Sequence, residues 1–231
     1  MTNKILNNLL SLFYPRLCVG CGDALQQNEP FLCLHCMMHL PETNFHKEAE
    51  NPLTNIFAGR VRVREVASLL YYKKGTSVQH ILHALKYKGQ KELGAYLGEY
   101  YGKLLIEEPR FQDIDYIMPI PLHPKKQRKR GYNQSEWIAK GLSKGMGIPY
   151  RTDVLTRVQY TETQTKKSRF SRWENVKEVF VVSGDDLAPE THVLICDDVL
   201  TTGATMEAAI QQLQSVPNII VSVVTLATAQ F

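Results

Sequence analysis

The chain has 231 residues, with 27 Lys and Arg against 23 Asp and Glu, for a formal net charge of +4 at pH 7. That length suits one large domain or one domain with a small appendage, and the mild basicity permits anionic ligands without demonstrating nucleic acid. No apolar run approaches the length of a bilayer crossing, so no membrane span is expected.

Residues 5–13 are apolar at helical spacing but broken by asparagines, with no small-residue cleavage site. They predict a short amphipathic helix rather than a signal peptide, and with it a cytoplasmic protein whose thiols stay reduced. Cys18, Cys21, Cys33 and Cys36 then form two C-x2-C knuckles separated by eleven residues. Two such knuckles complete a tetrahedral centre, and four thiolates leave no open position for a reacting water. The expected ion is a structural Zn2+, with a reduced iron centre or two disulfides as alternatives. Gly20 and Gly22 are expected to supply the tight turn of the first knuckle, and His35 to face solvent beside the second. The amphipathic helix and the cysteine module occupy residues 1–45. A linker with Pro41, Asn51, Pro52 and Gly59 follows over 40–60, and the main domain spans 60–231.

In the main domain a strand is predicted over 65–72 from its β-favouring and apolar bulk. A helix follows over 77–87, with Val78, Ile81, Leu82 and Leu85 on one face. It ends at Lys86-Tyr87-Lys88-Gly89, where cations suit the last turn and glycine the cap. A second helix is predicted over 91–106. The next strand, 116–120, stops at Pro119-Ile120-Pro121-Leu122-His123-Pro124, whose three prolines force an extended, donor-poor turn. Lys125-Lys126-Gln127-Arg128-Lys129-Arg130 packs five positive charges into six residues. It reads as a solvated loop, with gripping a pyrophosphate or a nucleic-acid backbone as further uses. Asn133 is placed to cap a helix over 134–142 that turns Trp137, Ile138 and Leu142 toward a core.

Residues 157–180 hold Arg157, Thr163, Gln164, Lys166, Lys167, Arg169, Arg172, Asn175 and Phe180. The segment lacks apolar periodicity between Gln159 and Arg169, which suits a mobile lid over a ligand; disorder or a β-hairpin arm is the plainer alternative.

The richest stretch is 193–205, Val-Leu-Ile-Cys-Asp-Asp-Val-Leu-Thr-Thr-Gly-Ala-Thr. Residues 193–196 read as a buried parallel strand, with Asp197 and Asp198 where it would end. Thr201, Thr202, Gly203, Ala204 and Thr205 form a small hydroxyl-rich turn before a helical pattern over 206–213. Backbone N–H groups of such a turn, with the positive end of the following helix, cradle a phosphate. Carboxylates cannot bind phosphate, so the pair must address another part of the same ligand; vicinal sugar hydroxyls fit. A final buried strand is predicted over 218–227. Alternating strands and helices imply right-handed crossovers and a largely parallel sheet, with ligands at the carboxyl ends of its strands.

The 193–205 pattern resembles the 5-phosphoribosyl pyrophosphate (PRPP) motif of type I phosphoribosyltransferases. The resemblance implies that fold, a sheet flanked by helices beside the small zinc-binding module. It also implies that Asp197 and Asp198 hold the ribose hydroxyls and Thr201–Thr205 the 5-phosphate. The order of motifs along the chain is similar to that of the ComF family. These are the four cysteines, Leu85–Gly89, Pro119–Pro124, the basic run, Arg130–Gln134, then Gln164 with Arg172, Asn175, Val176 and Phe180, and the acidic motif. Lys167 departs from an apolar position of that pattern, and Thr161 or Thr163 fills its threonine position; both bear only on loop packing. Lys86, Lys88, Lys125, Arg128 and Arg130 are the candidates for the pyrophosphate, Gln164 and Arg172 for the lid. The resemblance further implies Mg2+ with PRPP, transfer of the phosphoribosyl group to a nitrogen acceptor, and an association with DNA uptake and competence. A DNA-uptake helicase or other competence proteins are the partners it implies. A competence factor that binds single-stranded DNA, and PRPP without turnover, is the alternative.

Overall fold

The computed structural model describes residues 14–159, 178–183 and 187–229. The predicted N-terminal helix and the lid candidates Gln164 and Arg172 lie outside the described residues. Four parallel strands form the central sheet in the order β1-β6-β5-β2, namely β1 (Val66–Tyr72), β6 (Ile220–Ala229), β5 (His192–Leu200) and β2 (Tyr116–Pro119). β3 (Leu155–Gln159) and β4 (Glu178–Val182) pair antiparallel as a second, two-stranded sheet, so the segment expected as a lid or hairpin starts and ends in this strand pair. The central strands β5 and β6 are covered on both faces, which is why their apolar residues do not alternate with polar ones.

The helices are α1 (Leu34–Met38), α2 (Thr54–Phe57), α3 (Ser77–Tyr87), α4 (Lys91–Ile106), α5 (Pro124–Arg130), α6 (Gln134–Met146) and α7 (Ala204–Leu213). α3 and α4 match their predicted bounds because their apolar faces and glycine-bearing junction leave little choice of register. α6 begins where expected, capped by the Asn133 side chain, and runs one turn further to a left-handed Gly147. Ile138 and Leu142 are buried as predicted, whereas Trp137 is half-buried with Lys91 and Lys140 over its ring.

Two expectations are corrected. The basic run is a helix, not a loop: His123 accepts the Lys125 N–H, Pro124 occupies the first turn, and Gly131 ends it at φ 81°. None of its residues is buried, so the five charges spread around a short cylinder that solvent reaches. β5 does not end at Cys196. It pairs with β6 as far as Leu200–Thr228, which carries the acidic pair inside the strand.

α4 and α6 pack through glycines. A Cβ on Gly98 would lie 2.4 Å from the Ile138 carbonyl, and one on Gly141 2.1 Å from that of Ala95. This close contact locks α4 to α6, and α6 in turn packs on β2 and β5. Residues of the expected linker also pack. Thr43 and Tyr71 donate backbone N–H groups across the free edge of β1, to Leu69 and Pro41, and Leu53 is fully buried.

Candidate ribose-phosphate site and cysteine cluster

Pro119 of β2 lies beside Cys196 of β5, so the Pro-rich turn and the acidic pair leave the sheet at the same level. A small cleft of about 170 Å³ opens there. Its polar walls come from Lys86 at the end of α3, Lys126 and Arg130 of α5, and Gln134 and Ser135 at the start of α6. Arg157 of β3, the two aspartates and Thr205 complete it. The Pro-rich turn contributes Ile120, Pro121 and Leu122, an apolar wall in which Pro121 has no N–H and the Ile120 N–H is taken by the Cys196 carbonyl.

The two carboxylates take partners from different helices. Asp197 Oδ1 accepts the Ser135 hydroxyl at 2.6 Å and the Asp198 N–H at 2.8 Å. Asp198 is buried, and Lys86 Nζ lies 2.8 Å from its Oδ1. Burial, then the neighbouring Asp198 charge, pushes the Asp197 carboxyl up to about 7, against the pull of Ser135, the Asp198 N–H and Lys86. Burial lowers the Arg157 guanidinium, and the Asp197 charge partly offsets this.

Gly203 caps α7 at φ 77° with no side-chain hydrogen bond, so the N–H groups of the first turn have no side-chain cap. Its missing Cβ serves packing as well as conformation, because one would fall 2.6 Å from Ile56 Cγ2 of α2. Thr201, Thr202, Ala204 and Thr205 are exposed around it. A glycine turn opening a helix is a geometry that can bind an anion.

Of the basic candidates, Lys86 and Arg130 reach the cleft. Lys125 and Arg128 do not line it, and Lys88 lines a separate cavity against the first cysteine knuckle. Ser135 was not singled out from the sequence, and Lys126, Gln134 and Arg157 stood there only as members of the basic run, the Arg130–Gln134 motif and the 157–180 segment. Ser135 and Gln134 follow the Asn133 cap, and a polar pair at the first turn of a helix that faces an acidic strand end was the available signal.

The four cysteine sulfurs lie within 4.8 Å of one another, with Cys21 and Cys33 Sγ 3.7 Å apart. A tetrahedron with Zn–S bonds of about 2.3 Å has edges of about 3.8 Å, so the cluster could bind a metal such as zinc. The Cys33 and Cys36 N–H groups point at Cys18 and Cys33 Sγ, the pattern that stabilises thiolates in knuckles. Burial raises the Cys18 thiol, but N–H groups of Cys21, Cys33 and Gly20 outweigh it and bring it down to about 7. Cys36, by contrast, is raised by burial and the surrounding thiols. Four such thiols cannot ionise together without a cation among them. Gly22 takes the left-handed turn at φ 87°, while Gly20 is needed for space, since a Cβ there would lie 3.0 Å from Cys36 Sγ. His35 is exposed and stacks on His39. The module is tied to α3 by His80 Nδ1, 3.0 Å from the Gly20 carbonyl.

No family model matches the chain. It is 38% identical over 92 residues to competence protein F of Haemophilus influenzae, covering 39% of this chain and 40% of that protein. It is 33% identical over 141 residues to the DNA utilization protein YhgH of Salmonella typhimurium, covering 58% and 59%. Competence protein ComFC of Bacillus subtilis is 25% identical over 199 residues, covering 84% and 76%. The chain is a homologue of these competence and DNA-utilization proteins. It spans 40% and 59% of the length of the first two. Among solved structures, an adenine phosphoribosyltransferase aligns over 64% of this chain and 75% of its own, at 13% identity and a TM-score of 0.40.

Among the described residues no helix is long and apolar enough to cross a membrane.

Proposed function

We propose that this protein binds PRPP in the cleft at the carboxyl ends of β5 and β2 and transfers its phosphoribosyl group to a nitrogen acceptor. The observation that carries this reading is the meeting of the acidic pair, the uncapped Gly203 turn and the cations Lys86 and Arg130 at one end of one sheet. Asp197 and Asp198 accept hydrogen bonds from the ribose hydroxyls. The N–H groups around Thr201–Thr205 hold the 5-phosphate, and Lys86, Lys126 and Arg130 face the pyrophosphate. Mg2+, the usual companion of a diphosphate, would when bound neutralise charge on the leaving pyrophosphate. The C1–oxygen bond breaks and its electron pair leaves with pyrophosphate. The acceptor nitrogen lone pair forms the new bond, and its proton is lost to solvent or an acceptor-side base. The carboxylates beside the ribose favour the positive charge that develops at C1.

Zinc held by Cys18, Cys21, Cys33 and Cys36 would tie together a segment too short to build its own core. The names of the relatives support a role in DNA uptake, with competence proteins as partners. Release of pyrophosphate from PRPP in the presence of bases, ammonia or amino sugars tests the transfer; no release with any of them, from protein that binds PRPP, would leave a binding protein.

A second reading has its own observation. α5 is basic and has no buried residue, and Tyr87, 62% exposed, stands with Arg130 5.3 Å over its ring. Such a cation-flanked aromatic suits single-stranded DNA. Salt-sensitive DNA binding that survives Asp197→Asn with Asp198→Asn would favour a competence factor for which PRPP is a regulator.

A further inference from the structure

Gln134, the first residue of α6, is 1% exposed and lines the cleft. Its Oε1 accepts Arg130 NH1 at 2.7 Å. A guanidinium has donors only, so the amide atom facing Arg130 must be the oxygen and the flip of the side chain is settled. Nε2 therefore points the other way. Among the described residues it has no hydrogen-bond partner, although it is buried. A buried NH2 left without an acceptor costs free energy, and such groups are rare outside sites that wait for a ligand.

One oxygen of each carboxylate that lines the same cleft is already engaged. Asp197 Oδ1 takes Ser135 and the Asp198 N–H, and Asp198 Oδ1 takes Lys86. The walls carry four cations, Lys86, Lys126, Arg130 and Arg157, against two carboxylates. A group that enters beside Gln134 is thus drawn by net positive potential, and the free amide requires an oxygen that accepts. The α6 dipole adds to the preference for negative charge at its first turn.

We infer that the Gln134 amide is a ligand-binding donor for a diphosphate oxygen, held in position by Arg130; this rests on the PRPP reading above. It places α6, not only the lysines of the basic run, on the pyrophosphate side of the ligand. Arg130 then has two tasks, as a cation and as the clamp that aims the amide.

Three probes separate the parts of the ligand: PRPP with Mg2+, pyrophosphate with Mg2+, and ribose 5-phosphate. Two variants are used in the full-length protein. Gln134→Glu keeps an oxygen for Arg130 but removes the donor, and Gln134→Met keeps the length without hydrogen bonding. The expected result is a loss of roughly ten- to hundredfold in affinity for PRPP and pyrophosphate, the range for a hydrogen bond to a charged group, with ribose 5-phosphate changed less than twofold. Thermal unfolding of each variant shows whether it is folded, and Gln134→Glu serves if Gln134→Met is not. Equal losses for all three probes, or unchanged PRPP affinity in a folded variant, would overturn the inference. Failure of the unsubstituted protein to bind any probe would instead sink the PRPP reading itself.

Discussion

Lys86 Nζ sits 2.8 Å from Asp198 Oδ1, joining the end of α3 to the acidic pair of β5. The sequence places Lys86 in a last helical turn, where a cation needs no further reason. The fold gives it one. Both side chains are largely buried, 24% and 11% exposed, so the pair is screened less than a surface bridge. Removing one member leaves the other charge uncompensated. Lys86→Met should therefore cost about 1–3 kcal/mol in urea unfolding. Asp198→Asn in the same chain should recover part of that loss, and strictly additive effects would show that the two do not interact in solution.

The acid pair also predicts a pH dependence. Asp197 is pushed from 3.8 up to about 7, so below about pH 4 it is protonated folded or unfolded. Between those values the folded form holds a proton that the unfolded chain has released. Its stabilising contribution is thus present at low pH and lost as pH rises through about 7. Unfolding midpoints of Asp197→Asn should fall less steeply than those of the unsubstituted protein between pH 4 and 7. Identical slopes would contradict the assignment. If PRPP requires the ionised form, binding near pH 6 should release a proton, detectable as a dependence of the calorimetric heat on buffer.

Gly203 cannot be replaced cheaply. Its φ of 77° is a left-handed conformation, and a Cβ would meet Ile56 at 2.6 Å and Phe57 at 3.2 Å. Gly203→Ala should destabilise by about 2–4 kcal/mol, strain and overpacking together, and abolish 5-phosphate binding in whatever folds. Substitution by Ala with less than about 0.5 kcal/mol lost would mean that the turn relaxes freely.

The cysteine cluster predicts stoichiometry. One equivalent of zinc per chain should be released on titration of the thiols, and Cys36→Ser should lower it to a fraction while exposing the 17–40 segment to protease. Full zinc retention by that variant would contradict a four-sulfur site.

Much of this was legible because the chemistry was local. The cysteine spacing, the helices around Leu85 and Leu97, and the strand–acid–turn–helix order of 193–205 each announce themselves within a dozen residues. What escaped was set by partners distant in sequence. The basic run gave a loop signal because like charges repel, yet His123, Pro124 and Gly131 cap it as a helix. β5 continues through two aspartates because β6 pairs alongside it to Thr228. The place of Lys86, and the orientation of Gln134, depend on helices brought against one sheet end by glycine contacts that periodicity alone does not show.

The central claim is that the β5 acidic pair and the Gly203 turn form one PRPP site. Calorimetric titration with PRPP and Mg2+ tests it most directly. The account predicts saturable binding at one site per chain, lost in Asp197→Asn with Asp198→Asn while the fold persists. No heat of binding to the folded, zinc-loaded protein, or equal binding by that double variant, would contradict it.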